Sequence, residues 1–144
     1  MRACSLRVSP QKLYIHRMAI RTELSLRLPN TAGALDRVCQ ALADERVNLL
    51  AFALGAGGTL RMVVDNPLHA AATLREQHYR VDERDVLFTT VPNEPGALSR
   101  IIRVIGEAGV NLDYAYGSCI ESGPMAGVVI GVADAQAASA LSGI

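Results

Sequence analysis

One stretch of this chain is written twice. Pro29-Asn30-Thr31-Ala32-Gly33-Ala34-Leu35 returns as Pro92-Asn93-Glu94-Pro95-Gly96-Ala97-Leu98, and Val47-Asn48-Leu49 returns as Val110-Asn111-Leu112, each 63 positions later. A shared offset over two separated motifs marks a duplicated module. The period is too long for a solenoid repeat and implies two small domains in tandem. Modules of about 60–70 residues bury only some 60% of their unfolded surface and are marginal alone. Association of the two modules, and then of two chains into a homodimer, is the expected remedy.

The hydrophobic patterning gives each module the same order of elements. Glu23-Leu24-Ser25-Leu26-Arg27-Leu28 alternates as a half-buried strand should. Its counterpart, Val86 to Val91, is apolar on both faces at Val86 and Phe88, which predicts a sheet covered on both sides. Leu35, Val38, Cys39 and Leu42 recur at helical spacing, as do Leu98, Ile101, Ile102 and Ile105. Gly109 suits the left-handed end of the second of these helices, whereas Arg46 at the matching place predicts a frayed or different ending. Strands follow over 47–54 and 59–64, joined by Gly55-Ala56-Gly57-Gly58; Pro67 opens a helix, and 80–83 forms a short fourth strand. The second module repeats the plan with strands over 110–118 and 125–132 and a helix opened by Asp134, then stops at Ile144. The expected fold is therefore α+β: two tandem ferredoxin-like βαββαβ modules, each an antiparallel sheet with its helices on one face, the second module lacking its last strand. An uncovered sheet edge there would recruit a strand from elsewhere. The modules span 18–84 and 85–144, and residues 1–17 are a disordered extension or a start placed too early.

Charge and composition exclude several functions. Residues 1–17 carry Arg2, Arg7, Lys12 and Arg17 and no acid, so the rest hold ten basic against fourteen acidic groups, a net of −4. That mildly acidic body argues against nucleic-acid binding. No apolar run approaches a membrane span. Cys4, Cys39 and Cys119 form no CxxC pair, and His16, His69 and His78 have no metal-ligand spacing. A reducing cytoplasm, no metal and no cofactor are the expectation. No catalytic signature is present, and Lys12 is the single lysine, so an enzyme is not expected.

The repeated turn carries the functional signal. A helix N-terminus presents unpaired N–H groups and the positive end of its dipole, and glycine lets a ligand approach the backbone. The amides of Gly33, Ala34 and Leu35, and of Gly96, Ala97 and Leu98, are placed to hold a small carboxylate. Asn30 and Asn93 can serve the ligand's ammonium, or can be ordinary helix caps. Asn48 and Asn111, at the start of the next strand, are either polar strand-start residues or contributors from a neighbouring module. Tyr114 and Tyr116 share a strand face and suit an interface, with base stacking as the sharper alternative.

The doubled Pro-Asn-x-x-Gly-Ala-Leu, followed by a helix and Val-Asn-Leu, resembles the ACT domain over residues 20–144. The pattern is similar to small stand-alone tandem ACT proteins, including acetolactate-synthase-regulator-like ones. The resemblance implies a ferredoxin-like fold, pairing through sheet edges or helices, and a small amino acid, aliphatic by analogy, bound at module interfaces. By the family pattern the ligand-contacting positions are Asn30, Gly33, Ala34, Leu35, Asn93, Gly96, Ala97 and Leu98, with Asn48 and Asn111 from a neighbouring strand. Glu94-Pro95 keeps the family's acidic–Pro pair where Thr31-Ala32 departs from it, which favours the second turn. The expected function is a non-catalytic amino-acid sensor. The alternative is a structural or regulatory subunit that binds a separate amino-acid-biosynthesis enzyme without a ligand of its own.

Overall fold

A computed structural model describes residues 18–141. The expectations for residues 1–17 lie outside the described residues. The elements are β1 (Met18–Arg27), α1 (Ala34–Asp44), β2 (Leu49–Leu54), β3 (Thr59–Val64), α2 (Pro67–Glu76), β4 (Asp82–Pro92), α3 (Ala97–Glu107), β5 (Leu112–Cys119), β6 (Met125–Val132) and α4 (Ala135–Leu141). They divide into two compact units. One is Arg21–Arg84, and the other joins residues 18–20 to those from Asp85 onward.

In the first unit the strands run antiparallel in the order β2-β3-β1. Leu24 of β1 stands opposite Met62 of β3, and Met62 opposite Phe52 of β2. Alternation sends Leu24, Leu26 and Leu28 to one face, with Leu60, Met62 and Val64 beside them. Val38, Ala41 and Leu42 of α1 and Ala70, Ala71 and Leu74 of α2 close that face, so both helices lie on the same side. Truncating Leu42, which is 1% exposed, to alanine would cost about 2–5 kcal/mol.

The second unit repeats this with β4-β6-β5, where Leu87 pairs with Ile130 and Tyr116 with Val129. Its core gathers Leu87, Val91, Ile101, Ile105, Val128, Ile130 and Val132 with Ala135 and Ala138 of α4. Asp134 caps α4 by accepting the Ala137 N–H at 3.0 Å. Among the described residues no strand follows α4. Met18 and Ile20 pack against this core instead, so the front of the chain helps to complete the second module. On the face turned from the helices Val86 and Val129 are also buried, in line with the blurred alternation there.

β1 starts at Met18, the expected start of the first module. Two features differ from the sequence-based expectations. In place of a short strand over 80–83, β4 starts at Asp82 and runs unbroken to Pro92. Arg46 does not fray α1. It takes the left-handed conformation (φ 59°) that Gly109 takes in the second copy (φ 78°). Val47 N–H donates to Leu42 O at 2.9 Å and Arg46 N–H to Ala43 O at 3.0 Å, the bonding that also joins Val110 to Ile105 and Gly109 to Gly106. The closing bonds and the burial of Val47 impose the turn despite the cost of a Cβ in that region.

Candidate functional site

The two repeated turns have nearly the same backbone. Gly33 and Gly96 precede their helices in the left-handed region (φ 82° and 85°), and neither helix start has a side-chain cap. Thr31 N–H donates to Pro29 O, Ala34 N–H to Thr31 O and Arg37 N–H to Gly33 O. The equivalents Glu94, Ala97 and Arg100 donate to Pro92, Glu94 and Gly96. The asparagines are therefore not helix caps, because glycine occupies that position. Ala34 and Ala97 spend their N–H groups inside the turn. Among the described residues, the N–H groups of Gly33, Leu35 and Asp36 have no hydrogen-bond acceptor.

The side chains separate the two copies. At the first turn, Asn30, Gly33, Ala34 and Leu35 line a cavity of about 390 Å³ together with Asp36 and the Gly55–Gly58 connection. The carbonyl of Gly58 (φ 88°) accepts the Leu28 N–H at 2.8 Å, and a Cβ there would meet Leu28 O at 2.9 Å. Only glycine brings that connection so close, and the contact sets one wall of the cavity. The Asn30 amide makes no hydrogen bond among the described residues. At the second turn, the Asn93 amide nitrogen donates to the carbonyls of Ile120, Glu121 and Gly123 at 3.1, 3.3 and 2.9 Å. Asn93 N–H also donates to Pro124 O at 2.9 Å. The hairpins explain the difference. β2 and β3 are six residues each, whereas β5 and β6 are eight, and the longer second hairpin brings its loop onto Asn93.

A charged pair distinguishes the copies further. Arg37 and Arg100 occupy the same place in the repeat, and each lays its guanidinium over its turn. A Cβ on Gly33 would meet Arg37 Nη1 at 3.5 Å, and one on Gly96 would meet Arg100 Nη1 at 3.9 Å. Arg100 Nη2 donates to Glu94 Oε1 at 3.1 Å. The first copy has Thr31 at the position of Glu94, and among the described residues Arg37 makes no ion pair. These arginines were not singled out from the sequence, although they too recur 63 positions apart.

The remaining candidates stand apart. Asn48 is exposed and uses its backbone, N–H to Asp65 Oδ1 at 3.0 Å and carbonyl to Asp65 N–H at 3.1 Å, and it does not line the cavity. Asn111 is exposed at the start of β5. Leu98 is 51% exposed, while Leu35 packs partly against the first core. Tyr114 and Tyr116 stack at 6.4 Å, and the Tyr114 ring fills the space above Gly131 that a side chain there would need. Cys39 is half-buried and Cys119 is exposed. Among the described residues, no group of three or more His, Cys, Asp or Glu side chains is arranged to hold a metal ion. None of the described helices is long and apolar enough to cross a membrane.

Two split βαβ modules with a Gly-opened helix after the first strand form a pattern that a family model recognises: the ACT domain pair matches residues 18–139. The chain belongs to the ACT-domain-pair family. Among solved structures, this ACT pair is similar to a Bacteroides thetaiotaomicron protein, with 30% identity and a TM-score of 0.78 over 86% of this chain and 87% of that one. It shares its fold with the regulatory subunit of aspartate kinase from Thermus thermophilus in a ligand-free form, at 18% identity and a TM-score of 0.64, covering 87% of this chain and 93% of that one. The regulatory subunit of aspartate kinase from Thermus flavus is alike at 16% identity and 0.60, covering 87% and 94%. No curated protein matches the chain significantly.

Proposed function

We propose that this ACT pair is a non-catalytic sensor of a free amino acid, and that the ligand site is the first turn. The observation that carries this reading is the cavity of about 390 Å³ on Asn30, Gly33, Ala34 and Leu35, within the size range of small-ligand sites. An α-amino acid is a zwitterion and needs donors for its carboxylate and acceptors for its ammonium. The N–H groups of Gly33 and Leu35 and the Arg37 guanidinium supply the donors. Asp36, on the cavity wall, receives the ammonium, and the Asn30 amide adds a polar contact on either side. Leu28, Leu35 and Leu54 line the same space and suit a small aliphatic side chain. The second turn keeps the motif but has committed Asn93 and Arg100 to the protein itself, so it serves as architecture. Bound ligand stabilises the conformation it fits by its differential affinity alone.

Titration calorimetry of the full chain against the twenty amino acids tests this. Saturable binding of one or a few aliphatic amino acids is expected, weakened about 10–100-fold by Arg37→Gln, the loss of one charge-assisted contact. Heats absent for all twenty at millimolar ligand would reject the sensor.

A second reading is a ligand-independent subunit that docks on a separate biosynthetic enzyme or on a second copy of the chain. The exposed row of Leu50, Phe52 and Leu54 on β2, at 37, 54 and 46%, favours it. The resemblance in fold to aspartate-kinase regulatory subunits makes such an enzyme a partner to test. Co-purification of a stoichiometric enzyme that Phe52→Asp abolishes, with silent titrations, would support this reading over the first.

A further inference from the structure

The face of the first module turned away from its helices carries a second, unrelated cavity. It measures about 250 Å³ and is lined by Ser25, Leu26, Arg27, Thr59, Arg80 and Asp82. Alternation places these groups. Leu24, Leu26 and Leu28 face the core, so Ser25 and Arg27 face the other way, and Thr59 is the cross-strand partner of Arg27. Arg80 and Asp82 flank the buried Val81, while Tyr79 packs on the core, so the same rule turns them outward. Their segment is firmly held. His78 turns the chain in the left-handed region (φ 72°), Tyr79 N–H donates to Leu74 O at 3.1 Å, and Arg75 Nη2 donates to Val81 O at 2.8 Å and to Glu83 Oε2 at 3.1 Å.

Two arginines thus line a small cavity together with one aspartate, a serine and a threonine. Among the described residues the side chains of Arg27, Arg80 and Asp82 have no ion-pair or hydrogen-bond partner, and two arginines against one aspartate leave one positive charge over. The second module does not repeat this lining: Phe88 stands where Ser25 is and Thr90 where Arg27 is.

We propose that this cavity binds the phosphate group of a small metabolite. Two planar guanidinium forks, one from β1 and one from the segment just before β4, with two hydroxyls, offer more donors than the two oxygens of a carboxylate can accept. A phosphate monoester has three terminal oxygens and the double charge that rewards paired arginines. Asp82 repels that charge and so selects a carrier with a hydroxyl or ammonium group next to the phosphate, which it binds as acceptor. The site does not rest on the amino-acid reading of the first turn.

The test is titration of the full-length protein, followed by amide chemical shifts at constant ionic strength. Inorganic phosphate, glycerol 3-phosphate and acetate are the probes. Saturable shifts at Ser25, Arg27, Thr59 and Arg80 are expected with both phosphates, tighter with glycerol 3-phosphate. Arg27→Gln and Arg80→Gln should each weaken binding at least tenfold, the Lys variants less, and Asp82→Asn should tighten inorganic phosphate. Thr31→Glu, in the other cavity, should leave phosphate binding unchanged. Absence of saturation by either phosphate, affinity unchanged from the unsubstituted protein in either Gln variant, or acetate binding as tightly as phosphate would overturn the proposal.

Discussion

Gly33 and Gly96 start their helices with the same left-handed backbone, yet Asn30 lines an open cavity while Asn93 is tied to three carbonyls. Thr31 leaves Arg37 unmatched; Glu94 occupies Arg100. The same motif thus lines an open cavity in one module and is a structural clasp in the other. What decides between them lies outside the motif, in the length of the hairpin opposite it and in one residue three places before the helix. A duplicated signature identifies the turn but does not say which copy is available to a ligand.

The comparison can be broken by exchanging its parts. The largest effect is expected from Thr31→Glu, which gives Arg37 the partner Arg100 already has and puts a carboxylate beside the cavity. Amino-acid affinity should fall about 100-fold by calorimetry, the loss of roughly 2–3 kcal/mol from one charge-assisted contact plus like-charge repulsion. Asn93→Ala comes next. It strips hydrogen bonds from carbonyls of the 120–124 loop and should cost about 1–3 kcal/mol in urea unfolding, whereas Asn30→Ala should stay within about 0.5 kcal/mol. The helix ends give a smaller contrast. Arg46→Gly relieves a left-handed Cβ and should stabilise by about 0.5–1 kcal/mol, while Gly109→Ala should destabilise by about 1 kcal/mol, both read as shifts in the unfolding midpoint. Smallest of all, Glu94→Thr removes a half-exposed ion pair and should change stability by less than about 1 kcal/mol.

Much of the fold was legible because alternating and helical periods coincide with a fixed repeat offset. Leu24, Leu26, Val38, Leu42, Ile101 and Ile105 all became core. The turn glycines were legible because positive φ at a helix start strongly favours glycine. Other features depend on contacts distant in sequence. Nothing local to Asn93 announces that carbonyls 27 to 30 residues away will claim it. Arg46 adopts a conformation that its own propensity disfavours because Val47 and Leu42 require it. Arg37 looked like any solvent-facing helix residue until its reach back over Gly33 was visible, although comparing the two repeats position by position would have flagged it. The break in alternation at Val86 was read correctly as burial on the second face.

The grouping of residues 18–20 with the module that begins at Asp85 sets the order in which the protein can mature on the ribosome. Met18 and Ile20 emerge early and contribute to a core whose other members are synthesised last. Such distant pairing raises the share of non-local contacts and slows folding relative to a chain of self-contained repeats. Synthesis of the two halves as separate chains would strip the carboxyl-terminal half of those apolar residues and leave them uncovered on the amino-terminal half, a liability for aggregation during biogenesis.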